Sequence, residues 1–194
     1  MNQDTTPLRE PLDIHSTLPP NDFNFLPSLI KRETKISPLV VKNRAQLTEP
    51  CLPFDFNAPP IDPIELAQAL VHEMRDYDGL GLAANQLGFK WRVFAMRANP
   101  NLVCFNPKIV MPSEETITLE EGCLSFPGLY VKIKRPKHVR VRFQLPNGEM
   151  QTEMYTGMAA RVFQHELDHL DGIIFYDLAN KYHRDQAFKK WKKL

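Results

Sequence analysis

The sequence predicts an α+β fold: antiparallel or mixed β-sheets packed around a central helix bearing His-Glu-x-x-His, with one helix before the sheets and a short one after them. Three observations carry this. Residues 91–155 break into short runs of β-branched and aromatic residues whose connections are too short for parallel crossovers. Residues 157–171 switch to a helical period, with Met158, Val162, His165 and His169 on one face. An Asp-Pro-x-Glu start at Asp62-Pro63-Ile64-Glu65 opens another helix upstream.

At 194 residues and 43% hydrophobic, the chain suffices for one good core with an extension. A net charge of +1 gives no global field for nucleic acid or an anionic membrane. No apolar run approaches bilayer-spanning length, and Met1-Asn2-Gln3-Asp4-Thr5 lacks the basic and apolar regions of a secretory signal. Cys51, Cys104 and Cys123 are too few, and odd in number, for a disulfide framework. A reducing, cytoplasmic setting is the expectation.

In chain order, residues 1–60 hold ten of the 17 prolines and none of the 8 glycines. Prolines this dense exclude helices and central strands of normal length, so residues 1–40 are expected to form a Pro-rich arm. Residues 41–194 are then expected to form a single domain. The first helix is expected from the Asp62 cap to Tyr77, with Ile64, Ala67, Val71 and Met74, and Leu66 and Leu70 beside them, as a broad apolar face and Glu65 completing a capping box.

Gly79-Leu80-Gly81-Leu82-Ala83-Ala84-Asn85-Gln86 follows, without the third glycine of a dinucleotide loop and after a helix instead of a strand. It predicts a tight loop where backbone approaches something closely, with Gln86 as its one long polar side chain. Strands are expected at residues 91–96, 102–105, 108–111, 115–119 and 130–133, with turns or kinks at Asn106-Pro107 and Phe126-Pro127-Gly128. Residues 138–145 and 149–155 read as a hairpin around Asn147-Gly148. After the helix of residues 157–171, which Gly172 ends, comes a basic amphipathic helix over residues 182–194. Residues 181–194 contain six Lys or Arg against one Asp.

His165 and His169, four apart, fall on one helix face and suit a shared metal ion, with Glu166 able to reach a water beside it. A catalytic site needs a third protein ligand. In the His-Glu-x-x-His-x-x-Gly-x-x-His proteases it is a third His, but Phe175 occupies that position, and no Glu follows Glu166 to serve as a downstream ligand. His183 and Asp177 stay open on spacing alone. Upstream, Cys123 in Glu121-Gly122-Cys123-Leu124-Ser125 offers a thiolate at the end of a strand, although a lone cysteine there is also compatible with a buried apolar role.

Three stretches in order, Gly79 to Gln86, Glu121 to Ser125 and Gln164-His165-Glu166-Leu167-Asp168-His169, resemble the peptide deformylase family over residues 60–180. The resemblance implies an enzyme of protein biosynthesis that removes the formyl group from N-formyl-methionine of nascent peptides, a metal-activated water attacking the formyl carbon. It implies Cys123, His165 and His169 as metal ligands, with iron (Fe2+) favoured and nickel, cobalt or zinc accepted. Glu166 is implied as general acid and base, and Gln86 with the Leu124 N–H as oxyanion donors. Gly81 would line the approach, and Leu80, Leu119 and Met158 the pocket for the methionine side chain. Glu121 and Arg135 would form a structural pair holding the cysteine loop. The basic helix is similar in position to a ribosome-contacting helix of some members. Residues 1–45 depart from the family's short N-terminal segment.

Overall fold

The computed structural model describes residues 39–40 and 43–193. Of the expected arm over residues 1–40, all but Leu39 and Val40 lies outside the described residues. A short helix α1 (Arg44–Leu47), not expected from sequence, starts at Asn43, whose side chain accepts from the Gln46 N–H at 3.2 Å.

Helix α2 (Pro63–Asp76) begins as predicted. Asp62 Oδ1 accepts from the N–H groups of Ile64 and Glu65 at 2.8 and 2.9 Å, satisfying two of the donors that a helix start leaves open. The return bond from the Glu65 side chain, the other half of a capping box, is not formed. The helix buries Leu66, Ala67, Leu70 and Met74, while Ile64 stays exposed. The inner stripe is therefore set by Leu66 and Leu70 more than by Ile64.

Five strands form the main sheet in the order β1 (Gly81–Ala83), β2 (Val93–Met96), β3 (Leu102–Pro112), β6 (His138–Gln144), β7 (Met150–Thr156), every pairing antiparallel. Strands β4 (Thr116–Gly122) and β5 (Tyr130–Pro136) pair separately as a two-stranded sheet. The 79–86 stretch is thus not a plain loop: it opens with an edge strand and ends in a 3-10 turn, Ala84–Leu87.

The two strands expected at 102–105 and 108–111 are one. β3 runs through Asn106, which takes φ +48, and the pairing with β6 slips there. Asn tolerates this left-handed backbone better than most residues. Its amide holds the bulge in place, accepting from Phe54 N–H at 2.8 Å and donating to Phe54 O at 2.8 Å and Gln144 Oε1 at 2.9 Å.

Strand alternation divides the core. Leu82, Val93, Ala95, Val103 and Phe105 pack under α2. Ala83, Phe94, Met96, Cys104, Val139, Val141, Phe143 and Tyr155 pack against α3 (Gly157–Leu170) on the opposite face. Gly172, at φ +72, ends that helix as predicted, and a Cβ there would lie 2.5 Å from Thr48 O, so only glycine lets the α1 segment cross so closely. A third cluster joins Val131 and Ile133 of β5 to Phe126, Phe175 and Ala187. Ala187 belongs to α4 (Lys181–Trp191), which docks here with Phe188 and Trp191 beside it. No helix among the described residues is long and apolar enough to cross a membrane.

Candidate metal centre and active site

Three elements converge on one cleft: the β1 stretch with its 3-10 turn, the turn after β4, and α3. Cys123 follows the end of β4, its carbonyl accepting from Phe126 N–H at 2.9 Å. At Gly122 a Cβ would meet Tyr130 Cε1 at 2.7 Å, so this glycine lets the Tyr130 ring lie over the strand end. Cys123 Sγ lies 3.2 Å from His169 Nε2. One donor atom each from Cys123, His165 and His169 falls within 4.8 Å of the others. Among the described residues this is the one group of three His, Cys or acidic donors so arranged.

The histidines are held differently. His165 Nδ1 faces Glu121 Oε2 at 3.0 Å, which fixes the ring and leaves Nε2 for a metal. Burial pulls His165 down, but its bonds to Cys123 and Glu121 outweigh this and hold it well above the ordinary imidazole value. His169 is driven well below that value by burial and by the neighbouring His165. Its Nδ1 is buried without a partner among the described residues, and its backbone carbonyl accepts from Asn85 Nδ2 at 2.7 Å. One thiolate with two imidazoles is a donor set that zinc, iron, nickel and cobalt accept, so these residues fit a catalytic metal of that kind.

Glu121 is the hub behind the three donors. Its Oε1 accepts from Arg135 Nε and from Arg161 Nη1 at 2.7 Å, and its Oε2 from Arg135 Nη2 at 2.8 Å as well as from His165. Burial pushes this carboxyl up, but the Arg135 guanidinium and His165 overcome it and hold Glu121 well below the usual carboxylate range. Arg135 Nη1 also donates to Asp168 Oδ2 at 2.6 Å, joining β5 to α3.

Glu166 lies 4% exposed beside Gly81. A Cβ on Gly81 would overlap Glu166 Oε1 and approach its Cδ and Cγ to 2.7 Å, so the glycine is the space in which this carboxylate sits. Burial pushes Glu166 up to about 7. Gln86 is oriented from both ends: its Oε1 accepts from Ala83 N–H at 2.9 Å, and its Nε2 donates to Ser125 Oγ at 3.0 Å and lies 3.7 Å from Cys123 Sγ. The Leu124 N–H finds no acceptor among the described residues.

The cleft, about 680 Å³, is lined by Leu80, Gly81, Gln86, Cys123, Leu124, Met158, His165 and Glu166 among others. Leu119 is not one of these; it pairs with Ile133 deeper along β4. The two other third-ligand candidates are engaged elsewhere: Asp177 pairs with Arg44 at 2.8 Å, and His183 Nδ1 lies 3.2 Å from Asn180 Nδ2. Phe175, where a third His would stand, is buried with its ring 5.5 Å from that of His165.

A family model described as polypeptide deformylase matches residues 36–185. The chain belongs to the peptide deformylase family. It is similar to the peptide deformylase of Thermotoga petrophila, 46% identical over 111 residues that make up 57% of this chain and 68% of the relative. The crystal structure of peptide deformylase from Thermotoga maritima superposes with TM-score 0.68 and 38% identity, covering 75% of this chain and 98% of that one. That of the Thermus thermophilus peptide deformylase gives 0.74 and 32%, with 81% and 94% covered.

The structural pair Glu121–Arg135 forms as expected. Arg161 was not singled out from the sequence, and Asp168, Ser125 and Asn85 stood in the motif stretches without a role. Arg161 and Asp168 had a faint signal, lying one helical turn either side of His165 on the same flank of α3. For Ser125 and Asn85 the motifs gave the position but not the partner, which lies 39 and 84 residues away.

Proposed function

We propose that this chain is a metal-dependent hydrolase that removes the formyl group from N-formyl-methionyl nascent peptides, releasing formate, with Cys123, His165 and His169 holding the metal. The observation that carries the assignment is that these three donors fall within 4.8 Å of one another and that two of them, Cys123 and His165, line one cleft with Glu166 and Gln86. Iron (Fe2+) is our first choice of metal, with nickel, cobalt and zinc compatible with the same sulfur and nitrogen donors. When bound, the metal supplies Lewis acidity that makes hydroxide available near neutral pH and polarises the formyl oxygen.

The protein's own groups do the rest. Glu166 takes a proton from the attacking water and hands it to the departing amine, a role suited to a carboxyl poised at about 7. The Gln86 amide and the Leu124 N–H donate to the oxyanion as the formyl carbon becomes tetrahedral. Loss of one such donor typically costs on the order of 3 kcal/mol of transition-state stabilisation. Leu80, Gly81 and Met158, with Val162 and Leu124 on the same wall, would receive the methionine side chain. We leave Leu119 out of this pocket.

Three free cysteines, one of them a soft ligand open to oxidation, suit a reducing cytoplasmic setting. The basic residues of α4 and the lysines after it, Lys181, Arg184, Lys189, Lys190, Lys192 and Lys193, suit an electrostatic contact with the ribosome. Formate release from a formyl-Met tripeptide, assayed anaerobically with iron and with nickel, tests the assignment. Turnover that depends on added metal is expected; folded protein that releases no formate with either metal would overturn it.

A further inference from the structure

We propose that Arg161 is a positioning residue of the metal centre, a clamp that ties the hairpin ending at Cys123 to the helix bearing His165 and His169 and so sets the spacing of the ligands. This rests on the ligand assignment given above.

Arg161 is 5% exposed and lies one turn ahead of His165 on α3. Its Nη1 donates to Glu121 Oε1 at 2.7 Å and to Ile133 O at 3.1 Å, and its Nη2 to Ile117 O at 2.8 Å. Ile117 sits on β4 and Ile133 on β5. One guanidinium from the helix therefore grips the backbone of both hairpin strands and the carboxylate that orients His165. The other ties between hairpin and helix are single contacts: His165 to Glu121, Arg135 to Asp168, and Gln164 Nε2 to the Pro136 carbonyl at 3.0 Å. Arg135 cannot substitute, because it belongs to β5 and its bonds to Glu121 stay within the hairpin.

The consequence follows from where the ligands are anchored. Cys123 comes directly after the last residue of β4, and both histidines come from α3. Without the clamp, Glu121 Oε1 loses one of its two donors and two strand carbonyls lose theirs, so the hairpin can slide against α3. A slide moves the sulfur relative to the two rings. Arginine's planar fork suits this task; a lysine ammonium reaches fewer acceptors in fixed geometry. Both Nη atoms point into the hairpin, so Arg161 is not a substrate contact although it borders the cleft.

The test uses the full chain with Arg161→Lys and Arg161→Met, loaded anaerobically with cobalt. Three readouts are taken: cobalt affinity by chelator competition, the thiolate-to-cobalt charge-transfer absorption, and circular dichroism with thermal unfolding of the metal-free protein. We expect Arg161→Lys to keep the wild-type dichroism. Its cobalt affinity should fall roughly 10- to 100-fold, the usual effect of losing an outer-shell partner, with an altered charge-transfer band. Arg161→Met should fall further. A purely structural role would lower the unfolding temperature without moving the band. If folded Arg161→Lys binds cobalt with wild-type affinity and spectrum, the clamp is wrong while the ligand assignment stands. If wild-type protein itself shows no thiolate band, the assignment fails and takes the clamp with it. Should Arg161→Met not fold, Arg161→Lys alone decides.

Discussion

His165 Nδ1 and Glu121 Oε2 meet at 3.0 Å, so one proposed metal ligand is oriented by a carboxylate that also accepts from two arginines. Replacing that carboxylate separates its two duties. Glu121→Gln keeps an acceptor near the ring but loses the charge, and should weaken metal binding roughly 10- to 100-fold. Glu121→Ala also strands two buried guanidinium groups, a loss on the order of 3–5 kcal/mol. Chelator competition and denaturant unfolding would show both.

Glu166→Gln should keep the metal and lose roughly 10²- to 10⁴-fold in kcat, since the amide cannot move a proton. Elemental analysis beside the formate assay checks this. A wild-type rate in the variant would refute the proton-carrier role.

The raised Glu166 carboxyl also has a stability signature in metal-free protein. Its folded value of about 7 lies above the ordinary 4.5, so the folded state binds the proton more tightly than the unfolded one. The stability tied to that proton is fully present below 4.5 and lost as pH rises through about 7. Between pH 5 and pH 8, wild type should therefore lose about 2–3 kcal/mol relative to Glu166→Gln. Parallel stability curves for the two proteins would refute the shift.

Gly81→Ala places a methyl group where the Glu166 carboxylate now lies. We expect retained metal and a kcat reduced at least tenfold, with the acid limb of the pH–rate profile displaced. Unchanged kinetics would show that Glu166 can move aside freely.

Thiol labelling should single out Cys123. Burial pushes Cys51 up to about 11 and Cys104 well above the ordinary thiol value, and both are buried in the core. Metal-free protein at pH 8 should react with iodoacetamide at Cys123 alone, and added cobalt or zinc should protect it. Peptide mapping by mass spectrometry reads the result.

Much of the fold was legible because its signals are local. The Asp62 cap, the Asn147-Gly148 hairpin and the period of residues 157–170 each lie within a few residues of the element they specify. The three motifs likewise pointed to the cysteine and histidines that the structure brings together. What stayed hidden depends on distant partners. β1 is three residues long with glycine at its start, and only pairing with β2 makes it a strand. β3 passes through Asn106 because Phe54 and Gln144 hold the bulge. The resemblance implied Leu119 as a pocket residue, but β4 reaches the cleft lining only at Glu120, Glu121 and Gly122. Arg161 was not singled out, because its acceptors lie on the hairpin 28 to 44 residues away.

Charge reversal of Lys189, Lys190 and Lys193 should weaken ribosome binding at low salt and leave turnover of short peptides unchanged. Cutting away α4 is a poorer test. Trp191 Nε1 donates to Pro127 O at 2.9 Å, and Pro127 borders the cleft, so truncation would disturb catalysis as well. Co-sedimentation with ribosomes distinguishes charge from packing.

Cys123 and His169 stand 46 residues apart in the chain yet 3.2 Å apart in space. A cation held between them would act as a removable staple across that long loop, one that the unfolded chain has no preformed site to hold. Occupancy and folding are then thermodynamically linked: each tenfold excess of free metal over its dissociation constant adds about 1.4 kcal/mol to the stability of the native state. Starvation for metal would threaten the lifetime of the polypeptide before it showed as lost turnover.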